Sequence, residues 1–181
     1  MEREAIRFTE ILVPSGATNR IGKFMEGPSF ITIHETSLGT NFELACHDVV
    51  YYKNLIMNPP ESRNFVGYHY LVSDSEIIRF IPDNEYTRHT GSEEGNNKSI
   101  GIERIANVNT DFKRAIEIQA MVSATLMEKY GIPIENVVTH KFWSGKECPA
   151  RLLAGMYGGW TGFLAQVNKF YNEKRFILEL F

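Results

Sequence analysis

Short apolar runs bounded by turn residues predict β-strands along the first two thirds of the chain. Phe30 to Ile33 is an apolar, β-branched run that follows Gly27-Pro28, which is typical of a buried strand. Two more runs, Val66 to Val72 and Glu76 to Ile81, are separated by Ser73-Asp74-Ser75. This turn sequence predicts an antiparallel hairpin.

Two further runs also predict strands. In the run from Ser99 to Ile105, the two-residue repeat places Ile100 and Ile102 on one face and Glu103 on the other, beside small residues. The run from Ile134 to Thr139 is short and apolar. We therefore expect Glu103 to project away from the isoleucines, where it has room around it.

Apolar residues that recur every three or four positions predict helices. A capping-box pattern, Thr40-x-x-Glu43, begins a repeat that predicts a helix to about Asn54 with Cys46 on its apolar face. Asp111 to Tyr130 predicts a long amphipathic helix whose apolar stripe lies on the sheet. Phe163 to Tyr171 lines one side of a terminal helix.

The order of these elements predicts the fold class. Strands and helices alternate, but a hairpin is inserted among them, so we expect an α/β fold of the mixed α+β kind. A central mixed β-sheet would carry helices on both faces. The length of 181 residues suits one domain, and no repeat or Pro/Gly/Ser-rich linker divides the chain.

The charge balance argues against two classes of partner. Lys and Arg number 19 against 22 Asp and Glu, which gives a net charge of −3 and no basic field for nucleic acid or an anionic membrane. The charged start, Met1 to Arg7, lacks the apolar stretch of a signal peptide, and no run approaches about 18 apolar residues. We expect no nucleic-acid or membrane partner, and synthesis in the cytoplasm without a signal peptide.

The segment from His140 to Pro149 holds the densest set of reactive side chains. His140 closes a predicted strand, and Cys148 follows after a loop that contains Gly145. Imidazole and thiolate are good zinc ligands, and a catalytic zinc takes three protein ligands and one open position. His34 is the best third ligand, because it also lies at the end of a predicted strand.

Each of these side chains also has a structural interpretation. His34 and His140, taken singly, are more often satisfied core or surface histidines. Cys148 could be a small buried hydrophobe, although its polar loop is unlike a core position. Cys46 fits the core interpretation better. The three residues taken together favour the metal.

Three more residues are candidates for chemistry beside a metal. Glu103 is suited to take a proton from the attacking water, and its alternative is a surface salt bridge. Lys146 could stabilise a developing oxyanion, and its alternative is a solvated loop lysine. Tyr68 could present a phenol from a strand, although aromatic residues there usually pack across strands.

Five segments of the sequence match one known family in the same order. They are Phe30 to Thr36, Gly67 to Val72, Arg88 to Gly91, Asn97 to Glu103, and His140 to Pro149. Together they resemble the zinc-dependent N-acetylmuramoyl-L-alanine amidases of the type-2 amidase group, which includes phage endolysins and the animal peptidoglycan recognition proteins. The last segment is the most specific.

The resemblance implies a fold, a reaction and a set of residues. The fold is a central mixed β-sheet flanked by helices. The reaction is cleavage of the amide between the lactyl group of N-acetylmuramic acid and the L-alanine of the peptidoglycan stem peptide. The implied roles are zinc binding by His34, His140 and Cys148, catalysis by Glu103, Lys146 and secondarily Tyr68, and substrate binding by His89 and Asn97.

The resemblance also bears on domain organisation and biological setting. We expect one amidase catalytic domain over residues 1–175, with an N-terminal extension over 1–27 and an apolar tail over 176–181. The favoured setting is a phage-type endolysin that lyses a host by attacking its cell wall. The alternatives are a non-catalytic peptidoglycan recognition module and a cytosolic muropeptide-recycling amidase. The tail either packs onto the domain or once led into a wall-binding module that is absent from this chain; the oligomeric state is left open.

Overall fold

The structure of this chain is a computed structural model that describes residues 5–36, 48–59, 66–107 and 109–181. The strands are β1 (Arg7–Glu10), β2 (Phe30–Glu35), β3 (Tyr70–Val72), β4 (Glu76–Arg79), β5 (Ser99–Arg104) and β6 (Val137–Thr139). The helices are α1 (Val49–Met57), α2 (Glu93–Lys98), α3 (Phe112–Tyr130), α4 (His140–Ser144), α5 (Ala150–Leu153) and α6 (Gly159–Asn172). Short 3-10 turns span Ile134–Asn136, Met156–Gly158 and Leu178–Leu180.

The six strands form one mixed sheet in the order β1-β4-β3-β5-β2-β6. The β3 and β4 strands pair antiparallel around the predicted turn, and the other described neighbours pair parallel. The mixed sheet and its hairpin are thus confirmed. The strands β3, β5, β2 and β6 run in the same direction, so their carboxyl ends meet at one edge of the sheet.

That edge brings polar residues together. His34 on β2 lies opposite Glu103 on β5, and His140 follows the last residue of β6. In open α/β sheets, the crevice outside the carboxyl ends of parallel strands is the usual place for a ligand. The topology therefore predicts a ligand site at this edge of the sheet.

One face of the sheet is covered by α3 and α6. The predicted alternation in β5 is confirmed, because Ile100 and Ile102 are buried in this core with the apolar stripe of α3. Asp111 caps the start of α3 by accepting a hydrogen bond from the Arg114 amide. The helix ends at Gly131, whose φ of 64° is the left-handed conformation that glycine adopts without strain.

A second core lies on the opposite face. Leu71 and Ile78 point there, because neighbouring residues on a strand alternate between faces, and they pack with Ile56 of α1. Helices thus lie on both faces of the sheet, as predicted. None of the described helices is both long enough and apolar enough to span a bilayer.

Both ends of the described chain pack onto the sheet or its first core. The β1 strand pairs with β4, so part of the N-terminal extension adds an edge strand to the sheet. At the other end, Ile177 and Leu180 are buried in the first core. The Ile177 amide donates to Thr125 Oγ1 at 2.9 Å, and Lys129 Nζ donates to the Leu180 carbonyl at 2.5 Å. The apolar tail therefore packs onto α3. This agrees with the first of the two alternatives for the tail, packing onto the domain.

The predicted boundaries need corrections at three places. The run from Ile134 to Thr139 begins as a 3-10 turn, because the Asn136 amide bonds to the Pro133 carbonyl, and only its second half is a strand. The run from Val66 to Val72 is a strand only from Tyr70. The described helix α1 begins after Asp48, and the capping box and Cys46 lie outside the described residues.

Candidate metal and catalytic site

Three side chains converge at the carboxyl edge of the sheet. The ligand atoms of His34, His140 and Cys148 all lie within 4.8 Å of one another. The Nδ1 atoms of the two histidines are 3.1 Å apart, and Cys148 Sγ is 4.0 Å from His34 Nδ1. All three residues are buried. The structure therefore brings together the three ligands that the sequence predicted.

Local structure explains how His140 and Cys148 face the same point. The Thr139 hydroxyl caps α4 by accepting a hydrogen bond from the Phe142 amide, which sets His140 at the first position of that helix. Gly145 ends the helix with a φ of 77°, and the chain turns back. The Lys141 amide then donates to the Cys148 carbonyl at 3.3 Å, so the loop returns beside its own start.

The donor set fits zinc. Burial lowers the pKa of His34 well below its usual value, with neighbouring histidines adding to the shift. Burial, with the ammonium of Lys146, lowers the pKa of His140 to about 4. Both imidazoles are therefore neutral at pH 7, the form that binds a metal. Two neutral imidazoles and one cysteine in a buried cluster match a catalytic zinc site with one open position.

The Cys148 thiol is protonated when no cation is present. Burial raises its pKa to about 12, and the carboxyl of Glu103 adds to this shift. A thiolate ligand must lose this proton, so binding of a metal at this cluster releases a proton.

His89 fixes the orientation of His34. His34 Nε2 lies 3.0 Å from His89 Nδ1, and His89 Nε2 lies 3.2 Å from the Ser99 carbonyl oxygen. A carbonyl only accepts, so we assign the His89 proton to Nε2, and His34 Nε2–H then donates to His89 Nδ1. This leaves a lone pair on His34 Nδ1, the atom that faces the cluster. Metal-binding histidines are commonly held by such a partner.

Gly101 makes room for the His89 ring. A Cβ atom at this position would lie 2.6 Å from His89 Nδ1, which is closer than any real contact of this kind. The Gly101 amide donates to His69 Nδ1 at 2.9 Å, so we assign the His69 proton to Nε2, which donates to the Glu85 carbonyl. The small residue predicted beside Glu103 thus accommodates a histidine of the site.

Asn96 holds the loop that carries His89. Its Oδ1 accepts hydrogen bonds from the amides of His89 and Thr90, both at 3.0 Å, and from the Thr90 hydroxyl at 2.9 Å. No pattern in the sequence predicts this role of Asn96. The signal was weak, because α2 is only six residues long and its two adjacent asparagines show no periodicity.

A cleft of about 600 Å³ opens over the cluster. The described residues that line it include His34, His140, Cys148, Glu103, Lys146 and His89, together with Arg88, Tyr86, Glu93 and Val66. Most of these side chains are polar, and both signs of charge are present. The cleft therefore suits a polar substrate that carries hydrogen-bonding groups.

The pKa of the Glu103 carboxyl is shifted toward neutral pH. Burial raises its pKa to about 8, and the ammonium of Lys146 opposes this rise. A group that titrates close to the working pH can both accept and donate a proton. Lys146 lines the same cleft and is exposed to solvent.

Two predicted residues are not among the described residues that line this cleft. Tyr68 is buried in the second core, where its ring packs edge-on against Phe80. Burial raises the pKa of Tyr68 well above its usual value, and the nearby carboxylate of Glu103 adds to this rise. Asn97 donates hydrogen bonds to Glu93 and lines a different cavity, beside Lys23. The roles of both residues stay predictions.

Comparison with known proteins agrees with this geometry. The family model described as N-acetylmuramoyl-L-alanine amidase matches residues 24–151. N-acetylmuramoyl-L-alanine amidase XlyA of Bacillus subtilis (strain 168) is 36% identical over 166 residues, which cover 90% of this chain and 52% of XlyA. N-acetylmuramoyl-L-alanine amidase CwlH of the same strain is 36% identical over 159 residues, which cover 86% of this chain and 59% of CwlH.

A solved structure matches over nearly its full length. The catalytic domain of XlyA has a TM-score of 0.77 and 35% sequence identity, and the match covers 90% of this chain and 99% of that domain. This chain thus spans about half the length of the curated relatives it matches, and nearly all of a solved catalytic domain. The expected fold and the resemblance to this family are confirmed.

Proposed function

Because this chain belongs to the N-acetylmuramoyl-L-alanine amidase family, we propose that it is the catalytic domain of a zinc-dependent peptidoglycan hydrolase. The reaction is hydrolysis of the amide that joins the lactyl group of N-acetylmuramic acid to L-alanine. The main support for the proposal is one geometric observation. The ligand atoms of His34, His140 and Cys148 lie within 4.8 Å of one another in a cleft that also holds Glu103 and Lys146.

His34, His140 and Cys148 hold the metal in this proposal. Bound zinc supplies a Lewis acid for the scissile carbonyl and lowers the pKa of water to about 7. Three protein ligands leave one position open, which is typical of a catalytic rather than a structural zinc site. A structural site needs a fourth ligand, and the cluster found among the described residues has three.

Glu103 moves the proton. Its carboxylate takes a proton from the attacking water as the water oxygen bonds to the carbonyl carbon, and it then protonates the L-alanine nitrogen as the C–N bond breaks. The products are the lactyl carboxylic acid and the amine of L-alanine, and transfer of the acid proton to the amine gives carboxylate and ammonium. The raised pKa of about 8 supports the second step, in which the protonated carboxyl donates, and the ammonium of Lys146 favours the carboxylate that the first step needs.

Lys146 stabilises the negative charge that develops on the carbonyl oxygen. Its ammonium lines the cleft with Glu103 and has enough exposure to follow the substrate. Tyr68 is a secondary catalytic candidate, because it does not line the cleft but lies close enough to Glu103 for that carboxylate to raise its pKa. His89 and Asn97 are the substrate-binding candidates, and of these His89 lines the cleft.

The setting that we propose is an endolysin-type catalytic domain that acts on the bacterial cell wall. Its relatives XlyA and CwlH are each longer than this chain, which is consistent with an additional module for wall binding in the whole protein. A non-catalytic recognition module is the alternative, and the intact set of ligands together with Glu103 favours catalysis.

The test incubates the purified chain with Gram-positive cell walls, with and without a zinc chelator. New amino groups and new reducing sugar ends are assayed in parallel. We expect chelator-sensitive release of amino groups, with L-alanine at the new N-terminus and no reducing ends. The control is Glu103→Gln, which should bind zinc but release no amino groups, so that activity from a contaminant is detected. Wall binding without either product would favour the recognition module instead.

A further inference from the structure

A buried carboxylate lies beneath the ligand cluster. Glu35 follows His34 on β2, and strand alternation sends its side chain to the opposite face of the sheet from the His34 ring. The Glu35 side chain is 0% exposed. A carboxylate removed from water is stable only when charges and hydrogen bonds compensate it, so its partners must be strong.

The partners of Glu35 are two buried arginines. Glu35 Oε2 accepts a hydrogen bond from Arg104 Nη2 at 2.6 Å. Glu35 Oε1 accepts one from the backbone amide of Arg151 at 2.9 Å and lies 3.4 Å from Arg151 Nη1. Both guanidiniums also contact the Phe112 ring, at 5.8 and 4.9 Å from its centroid. One carboxylate thus ties β2 to β5 and to α5.

Both arginines are close in sequence to residues of the site. Arg104 directly follows Glu103 on β5, and Arg151 lies three residues after Cys148. The Glu35 cluster is therefore joined to the cleft through short stretches of backbone. Protein interiors are close-packed and transmit strain. A shift of Glu35, Arg104 or Arg151 is therefore expected to displace the groups in the cleft.

Glu35 contacts both ends of the segment from Cys148 to Arg151. At one end, the Cys148 Sγ is 4.0 Å from the Glu35 carbonyl oxygen. At the other end, α5 begins after Pro149, which offers no side-chain cap, so the Arg151 amide has no acceptor within its own helix. The Glu35 carboxylate supplies that acceptor. One residue therefore fixes the segment against β2.

We propose that Glu35 is a positioning residue for the metal site. It holds the segment from Cys148 to Arg151 against β2, and this keeps the Cys148 sulfur within reach of the ring of His34. The inference rests on the proposed function only in assigning the cluster to zinc. The contacts of Glu35 with this segment do not depend on the reaction.

The first test measures zinc affinity. Glu35→Gln keeps the shape of the side chain but removes its charge and one acceptor. We expect zinc affinity to fall by about 10–100-fold, as for other residues that hold metal ligands, measured by competition with a chromophoric chelator. Wild-type affinity in folded Glu35→Gln would overturn the proposal.

The matched control is Asp83→Asn. Asp83 is also a buried carboxylate with a cationic partner, Lys129, and it accepts hydrogen bonds from Tyr70 and Tyr130. The described hydrogen bonds and ion pairs of Asp83 go to Tyr70, Lys129, Tyr130 and Arg79, and none of them involves Glu35 or the segment from Cys148 to Arg151. Asp83→Asn should therefore lower stability without loosening that segment, and zinc affinity should fall much less than in Glu35→Gln.

The second test needs no metal. In a Cys46→Ser background, Cys148 is the only thiol of the chain. Its rate of reaction with an aromatic disulfide reagent reports how often the segment leaves β2 once the rate is corrected for thiol ionisation at several pH values, because the Glu35 carboxylate also raises the pKa of Cys148. We expect Glu35→Gln to accelerate this reaction in metal-free protein and Asp83→Asn to leave it unchanged. An equal rate in wild type and Glu35→Gln would contradict the positioning role.

Glu35→Gln leaves two buried guanidiniums without an anion, and this can prevent folding. A further variant tests the proposal in that case. Combining Glu35→Met, Arg104→Met and Arg151→Met removes all three charges, and apolar replacement of a buried ionic cluster is often tolerated. This variant should fold, bind zinc more weakly and react faster at Cys148. If wild type itself fails to bind zinc, the proposed function fails, and the thiol reaction still decides the role of Glu35.

Discussion

His34 donates a hydrogen bond from Nε2 to Nδ1 of His89 over 3.0 Å, and His89 in turn donates to the Ser99 carbonyl. The carbonyl fixes the proton of His89, and His89 fixes the proton of His34. The lone pair on His34 Nδ1 is therefore directed at the metal cluster by a backbone atom two hydrogen bonds away. A histidine that lines the cleft thus has a structural role in the site, beside its predicted contact with substrate.

Replacing His89 should weaken metal binding. His89→Ala removes the acceptor that orients the His34 ring, so we expect zinc affinity to fall by about 10–100-fold. His89→Asn carries a side-chain oxygen near the position of Nδ1 and should retain part of the affinity. Competition with a chelator measures both values. Equal affinity in His89→Ala and wild type would show that the hydrogen bond does not set the ligand geometry.

Gly101→Ala should act on zinc through His89. The added Cβ would lie 2.6 Å from His89 Nδ1, so the ring must move and lose its bond to His34. We expect zinc affinity to fall, as in His89→Ala. The control is Gly162→Ala in α6, where the Tyr157 carbonyl oxygen, the nearest atom outside the helix's own backbone, would be 3.9 Å from the new Cβ. That change should raise stability by about 0.5–1 kcal/mol and leave zinc binding intact.

The alternation of β5 could be predicted because it is local. The two-residue repeat alone assigns Ile100 and Ile102 to the core and Glu103 to the opposite face, and the structure agrees. The three candidate metal ligands could be proposed from residue chemistry and strand ends, because the carboxyl ends of parallel strands lie at one edge of the sheet. These inferences need only neighbours in sequence and a general rule of topology.

Other elements depend on contacts that no local pattern reveals. The β1 strand has a single large apolar residue, Phe8, and its edge position is supported by ion pairs such as Arg7 with Glu76. The carboxylate of Glu35 meets Arg104 and Arg151, which are 69 and 116 positions away. Such distant pairs leave no periodic signal, so the sequence analysis did not identify them.

In the metal-free protein, the titration of Glu103 should lower stability as pH rises from 6.5 to 8. Burial raises the pKa of Glu103 from 4.5 to about 8 in the folded state, so in this window the folded state binds a proton that the unfolded state has lost. The free energy of unfolding then falls with rising pH. Urea unfolding at several pH values in this window measures the slope.

The control for this slope is Glu103→Gln, which cannot titrate. Up to about pH 7.5 the lowered pKa values of His34, His69, His89 and His140 act with the opposite sign, because the unfolded state binds more protons there, so the Glu103 effect is the difference between wild type and Glu103→Gln. The Cys148 thiol begins to act above about pH 8, since its pKa is raised from 9.0 to about 12 on folding. A decline of the same size in Glu103→Gln and wild type between pH 6.5 and 8 would contradict the assignment to Glu103.

Lys146→Ala should impair turnover rather than binding. If the ammonium stabilises the oxyanion, its loss lowers kcat by on the order of 100-fold and changes KM little. Lys141→Ala is a matched control in the same segment, because Lys141 is exposed and pairs with Glu147. Its kcat should match wild type. Unchanged turnover in Lys146→Ala would remove the proposed role, provided that zinc content is equal in all three proteins.

The packed tail should contribute to global stability without contact with the site. Leu180 is 1% exposed and belongs to the first core, whereas Leu178 in the same turn is 76% exposed. Leu180→Ala leaves a cavity against α3, and we expect the free energy of unfolding to fall by about 2–5 kcal/mol. Leu178→Ala should change it by less than about 0.5 kcal/mol. Urea unfolding measures both, and equal small effects would show that the tail is not held in the core in solution.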